Sequence, residues 1–172
     1  MLQKIVVLIY DFNFAIDMSA KESREKKYED LFEEINSLIN INDPVFTNLG
    51  NICSAIKYKF DWFWVGFYKV EETELILHAF QGPSACTRIS WKKGVCGECW
   101  FKKEAVIVNY VSSFDGHISC NSASKSEIVF PVFDKENKLK FILDIDHHKV
   151  NSFTPKDIIG MSPILKKIAT IV

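Results

Sequence analysis

The chain has 172 residues, 21 of them basic and 22 acidic for a net charge of -1, with 48% apolar and 13% aromatic side chains. That length suits one domain burying roughly 70% of its unfolded surface and is short for two, and so much core material excludes a disordered tail. Charges alternate in sign without a basic block, which excludes a nucleic-acid footprint, and no apolar run reaches the ~20 residues of a membrane span.

The opening MLQKIVVLIYDFNFAIDMSA resembles a signal segment, with Lys4 ahead of the apolar run Ile5 to Tyr10, but Asp11 and Asn13 interrupt it early. Residues 1–18 read as a packing N-terminal extension and 19–172 as one domain. From Ser23 to Ile39, Tyr28, Leu31, Phe32, Ile35, Leu38 and Ile39 recur at helical spacing. Asp43 before Pro44 predicts a cap with proline at the first helical position, and Val45, Leu49, Ile52, Cys53 and Ile56 form the next stripe. Cys53 is therefore a core residue.

Beyond Phe60 the period changes to that of strands. WFWVGFYKV, the polar turn EETE and LILHAF predict a hairpin. A glycine-rich segment from Gly82 to Gly97 follows, then a helical piece from Glu98 to Lys103 and a short strand AVIVN. Residues 110–126 are polar and irregular, and EIVFPVFD and KLKFILDID, joined by KEN, predict a second hairpin. The last helix opens with Thr154 as cap and Pro155 inside it, and Pro163 should break or kink it. Helices at both ends with hairpins between them predict an α+β fold, an antiparallel sheet with helices on one face and a loop-built ligand pocket on the other.

Four of the five cysteines, Cys86, Cys96, Cys99 and Cys120, lie between residues 86 and 120, while Glu127, Asp144 and Asp146 interrupt apolar runs. Uneven spacing suits a reducing, cytoplasmic compartment better than a secreted disulfide scaffold. Three readings stand. A zinc site usually shows two close ligand pairs, whereas only Cys96 and Cys99 are paired. His147 and His148 follow Asp146, but neighbours on a strand point to opposite faces, so the pair reads as solvated. A thioredoxin-like CxxC at Cys96 and Cys99 belongs after a strand in a βαβ unit, and the flanks here are hairpins. In a thiol relay, one thiolate attacks an oxidised substrate and a second cysteine captures the product as a disulfide. An acid must then protonate the departing oxygen. Asp144 and Asp146, two apart on a strand, share a face, as do Trp64 and Tyr68.

The phrases GPSACTRISWKKGVCG, FDGHISCNSASKSEIVFP and LDID closely resemble those of the GAF-domain free methionine-(R)-sulfoxide reductases, over about Trp62 to Asp157. The resemblance implies a GAF-like fold and reduction of free methionine-(R)-sulfoxide to methionine, an activity of oxidative stress. It implies Cys120 as the attacking thiol, Cys86 as its resolving partner and Cys96 as a further redox cysteine. Glu127, Asp144 and Asp146 would be the substrate-binding acids, at least one for the ammonium and another, with a raised pKa, as proton donor. Trp64 and Tyr68 would wall the methylthio end, and backbone N–H groups around Gly94 to Gly97, Gly97 among them, would hold the substrate carboxylate. His117 would orient a loop. No bound cofactor or metal is implied. The reductant would be an external dithiol, thioredoxin with NADPH and thioredoxin reductase, and relatives suggest a homodimer. Cys99, the lack of a glycine before LDID, and Pro163 depart from the pattern. The reading from another class is a non-catalytic GAF module that binds a small molecule or senses redox state through its cysteines.

Overall fold

The computed structural model describes residues 22–116, 118 and 120–172. The expected extension 1–18, the start of the domain at residue 19, and His117 lie outside the described residues. Two helices come first, α1 (Arg24–Leu38) and α2 (Val45–Phe60). Ser23 caps α1 by accepting from the Lys26 N–H, and Tyr28, Leu31 and Ile35 are buried at helical spacing. The second cap is one residue later than expected. Pro44 is the N-cap of α2, and its carbonyl accepts from the Thr47 N–H at 2.9 Å, closing the first turn without Asp43. Cys53 is fully buried in the core, as its stripe predicts.

Six strands form one sheet: β1 (Trp64–Val70), β2 (Glu74–Gln81), β3 (Arg88–Ser90), β4 (Val106–Val108), β5 (Ser126–Phe133) and β6 (Leu139–His147). The order is β3-β2-β1-β6-β5-β4 with every pair antiparallel. Both expected hairpins form, β1 with β2 and β5 with β6, and they meet where β1 pairs with β6. The strand β3 lies inside the segment the sequence predicts as a glycine-rich connection. Helix α3 (Gly94–Lys102) starts four residues before the expected Glu98, so GVCGEC is its first two turns and not a loop.

The alternation of β6 divides the molecule. Leu143 and Ile145 join Val65, Phe67, Ile128 and Phe130 in a core covered by α1, α2 and α4 (Pro155–Ile168). Each such fully buried side chain contributes roughly 1.5–3 kcal/mol. The other face carries Trp64, Tyr68, Val129 and Ile142 and packs on Val95, Cys96, Cys99 and Trp100 of α3. Three helices thus share a face, as expected, while α3 takes the other together with the loops. The helix α4 has a capping box in which Asp157, fully buried, accepts from the Thr154 N–H, the Tyr28 hydroxyl and Arg24 of α1. It runs through Pro163 without a break. The carbonyl that loses its partner there belongs to Ile159, which faces solvent, and buried Met161, Ile164 and Ile168 hold the helix down on both sides.

Candidate active site

The β1/β6/β5 register assembles the acids. Across neighbouring strands Trp64 stands opposite Asp146 and Asp146 opposite Glu127, while one rung along Gly66 stands opposite Asp144 and Asp144 opposite Val129. Glu127, Asp144 and Asp146 therefore line one pocket with Trp64, Tyr68, Cys96, Cys120 and Ser124. Glu127 is 6% exposed and Asp144 7% exposed. Burial, then the charges of Asp144 and Asp146, pushes Glu127 well above the ordinary carboxylate range. Burial and then Asp146 do the same to Asp144. Asp146 is pushed by burial only to about 6, because it accepts from the Ser124 hydroxyl. One oxygen of Asp144, Oδ1, is buried without a hydrogen-bond partner among the described residues. Such an oxygen can accept from a donor brought into the pocket.

Two cysteines are joined. A disulfide links Cys86 to Cys120 across 34 residues of sequence, tying the loop after β2 to the loop before β5. The other three cysteines are free and buried. Cys96, on the first turn of α3, directs its thiol at Glu127 with a sulfur-to-oxygen distance of 3.9 Å. Burial, followed by the Asp144 and Glu127 charges, pushes that thiol well above its ordinary value. Cys99, one turn on, sits in the apolar cluster, and burial raises it too. The four cysteines thus form neither a tetrahedral metal set nor a CxxC disulfide. Cys96, Glu127 and Asp144 do bring ligand atoms within 4.8 Å of one another, and burial favours the protonated form of all three in the metal-free chain.

The aromatic residues of β1 have a second job. The Trp64 indole N–H donates to the Pro83 carbonyl at 3.0 Å, and the Tyr68 hydroxyl donates to the Cys86 carbonyl at 3.0 Å. Both therefore hold the loop that carries Cys86 as well as lining the pocket. The Trp64 ring lies over Gly66, where a Cβ would come within 2.2 Å of the indole. Glycine at that rung leaves room for the ring beside Asp144.

Gly97 sits inside the helix. Its N–H donates to the Lys93 carbonyl at 3.0 Å inside the first turn of α3, and it is not among the residues lining the pocket. A Cβ there would meet the Lys92 backbone at 2.9 Å, so Gly97 serves the close approach of helix and preceding turn. Gly94 gives its N–H to the Gly116 carbonyl at 3.2 Å. The residues of that turn that line the pocket are Lys93, Gly94, Val95 and Cys96. The histidines form the expected solvated strand-end pair, with His147 half-buried and His148 exposed, but not on opposite faces. The strand ends at His147, so His148 escapes the alternation and the rings stack with centroids 4.4 Å apart. Ser124 is the pocket residue that sequence reasoning missed. It lies in the polar, irregular stretch before β5, where nothing local marks it.

The GAF domain family matches residues 49–172. GAF domain-containing protein A of Dictyostelium discoideum is 45% identical over 148 residues, spanning 86% of this chain and 93% of that protein. The free methionine-R-sulfoxide reductase of Escherichia coli is 37% identical over 143 residues, spanning 82% of this chain and 86% of the enzyme. The structure of the free methionine-R-sulfoxide reductase of Neisseria meningitidis in complex with its substrate superposes with a TM-score of 0.80 at 36% identity. That superposition covers 86% of this chain and 89% of the other.

Proposed function

The chain belongs to the GAF-domain family and, within it, to the free methionine-R-sulfoxide reductases, and from that membership we propose that it reduces free L-methionine-(R)-S-oxide to L-methionine by a two-cysteine relay. The observation that carries the reading is the Cys86–Cys120 disulfide beside a pocket of three carboxyls, Glu127 and Asp144 buried and Asp146 half-buried, since Cys120 itself lines that pocket. Cys120 attacks the sulfoxide sulfur while a protonated carboxyl gives its proton to the oxygen. The S–O bond of the substrate breaks, the oxygen passes to Cys120 as a sulfenic acid, and methionine leaves. The Cys86 thiol then attacks the sulfenic sulfur, forming the disulfide and releasing water. An external dithiol, thioredoxin with NADPH and thioredoxin reductase behind it, reduces the disulfide in two exchange steps and takes up the oxidation itself. The sulfoxide gains two electrons and the dithiol loses two.

Among the three acids, one that is ionised binds the substrate ammonium and one that stays protonated serves the oxygen. Cys96 enters as a neutral thiol donating to Glu127, because the burial that raises it works against an attacking thiolate there. Trp64 and Tyr68 wall the methylthio end. Protein-bound sulfoxide is excluded, since its peptide groups carry no ammonium and would leave the buried acids unpaired. The chemistry fits a cytoplasmic enzyme whose partners are its substrate, thioredoxin and a second copy of the chain.

The test offers free methionine-R-sulfoxide, the S epimer and a peptide-bound sulfoxide to wild type and Cys120→Ser, with thioredoxin, its reductase and NADPH. Turnover of the free R epimer alone, lost by about 1,000-fold or more in the variant, is the expected result. No turnover by folded, reduced wild type with any sulfoxide would favour the non-catalytic GAF binding module.

A further inference from the structure

Three carboxyls in one buried pocket repel each other when ionised, so something must decide which of them carries the charge. Glu127 and Asp146 are cross-strand neighbours, and Asp144 lies two residues from Asp146 on the same face. Their surroundings differ in the donor each one meets, and Glu127 has the weak thiol donor Cys96 at 3.9 Å. Asp146 accepts from the hydroxyl of Ser124, whereas Asp144 Oδ1 has no partner among the described residues. Ser124 is 8% exposed and lines the pocket, so its hydroxyl bond lies where solvent competes little.

The backbone around Ser124 is fastened to the same strand end. The Ser124 N–H donates to the Asn121 carbonyl at 3.2 Å, the Lys125 N–H to the His147 carbonyl at 2.8 Å, and the Ser126 hydroxyl to the Lys149 carbonyl at 2.7 Å. The first bond closes a turn within the loop that begins at Cys120, and the other two moor that loop to the end of β6 and the residues just after it, close to Asp146.

We propose that Ser124 is a positioning residue of the reductase, whose hydroxyl reserves Asp146 as the charged carboxylate for the substrate ammonium and leaves Glu127 and Asp144 as the proton-bearing pair that faces the sulfoxide oxygen. This assignment rests on the reductase reading above. A hydrogen bond from a neutral hydroxyl favours the ionised form of its acceptor, so it separates one acid from two chemically similar neighbours. Among the described residues, the other titratable groups lining the pocket with Asp146 are Glu127 of β5, Asp144 of β6, Cys96 of α3 and Tyr68 of β1, with Lys93 the basic residue there. Glu127 accepts from the Cys96 thiol at 3.9 Å, a weaker donor than a hydroxyl, so the Ser124 bond is the stronger contact and sets Asp146 apart. The direction of its effect agrees, for this bond pulls Asp146 down while burial pushes all three up.

The test measures kcat and KM for free methionine-R-sulfoxide from pH 5 to 8.5 with dithiothreitol as reductant, for wild type, Ser124→Ala and Ser124→Thr. Ser124→Ala should raise KM about tenfold, the scale of a hydrogen bond to a charged group, with a smaller change in kcat. Its acidic limb of kcat/KM should move up by about one pH unit, because Asp146 then needs a higher pH to ionise. Ser124→Thr, which keeps the hydroxyl, should restore both. Unchanged KM and pH limb in Ser124→Ala, or equal losses at every pH that Thr does not rescue, overturn the proposal. An inactive wild type instead overturns the reductase reading itself. Should Ser124→Ala not accumulate folded, carbon-13 titration of the wild-type carboxyls decides: the Asp146 midpoint must lie below those of Glu127 and Asp144, and the reverse order sinks the assignment.

Discussion

The two faces of the sheet are built from the same strands by opposite rules. On β6, Leu143 and Ile145 enter an apolar core against α2 and its neighbours, while Asp144 and Asp146, their immediate neighbours in sequence, enter a pocket, Asp144 buried in it and Asp146 half-buried. The strands send apolar side chains into the first face's core. The other holds carboxyls that burial pushes toward their neutral form, a cost that persists only because the first face supplies surplus stability. The difference teaches that a strand's period can be satisfied geometrically on both faces and energetically on only one, and that the face in deficit is the one with chemistry.

The sharpest way to break this comparison is to substitute two adjacent residues. Asp144→Asn should lower turnover of free methionine-R-sulfoxide by about 100-fold or more, the scale of a lost general acid. It should leave stability at neutral pH unchanged or higher, since the amide is neutral without taking a proton. Ile145→Ala should do the reverse, costing about 2–5 kcal/mol in urea unfolding while the folded fraction keeps its turnover. If both variants lose stability alike and keep activity, the acid face is packing and not a site.

Stability against pH sharpens it next. Asp146 rises from an ordinary value of 3.8 to about 6 in the folded chain, so the native state holds this proton more tightly than the unfolded one. Its contribution is full below about pH 4 and is lost as pH rises toward about 6, amounting to about 2–3 kcal/mol. Asp146→Asn cannot ionise. Wild-type unfolding free energy minus that of the variant should therefore fall through this window and level off above it. A difference that stays flat, or rises with pH, would show that the carboxyl is not desolvated as the pocket implies.

How much of this was legible in the sequence follows from which interactions are local. The alternation in LDID placed Asp144 and Asp146 on one face because a strand's period needs no partner to be read. That Glu127 and Trp64 flank Asp146 depends on β6 lying between β1 and β5, a long-range pairing no local pattern encodes. The joining of Cys86 to Cys120 was implied by resemblance, not by spacing. The start of α3 was hidden because Gly94 and Gly97 weaken a helix locally, whereas the close packing of Gly97 on Lys92 requires glycine there. Ser124 was hidden for a different reason. A serine in a polar, irregular stretch carries no signal until the fold sets an acid beside it.

The smallest expected effect separates two cysteines on one helix. Cys96 and Cys99 are three residues apart on α3 and both are buried, yet Cys96 meets Glu127 while Cys99 packs in the apolar cluster with Trp100 and Val129. Burial raises both thiols, so neither is activated by its surroundings, and the distinction between them is contact alone. Cys99→Ala should therefore cost about 1 kcal/mol of stability, the ordinary scale for a small core change. Turnover with dithiothreitol should remain within about twofold of wild type. Thiol counting under denaturing conditions before and after one oxidation cycle supplies the second reading. Wild type should lose two thiols to the Cys86–Cys120 bond, and the variant should lose the same two from a total one lower. A variant that stalls after a single turnover would place Cys99 in the relay and erase the boundary between packing and chemistry on this helix.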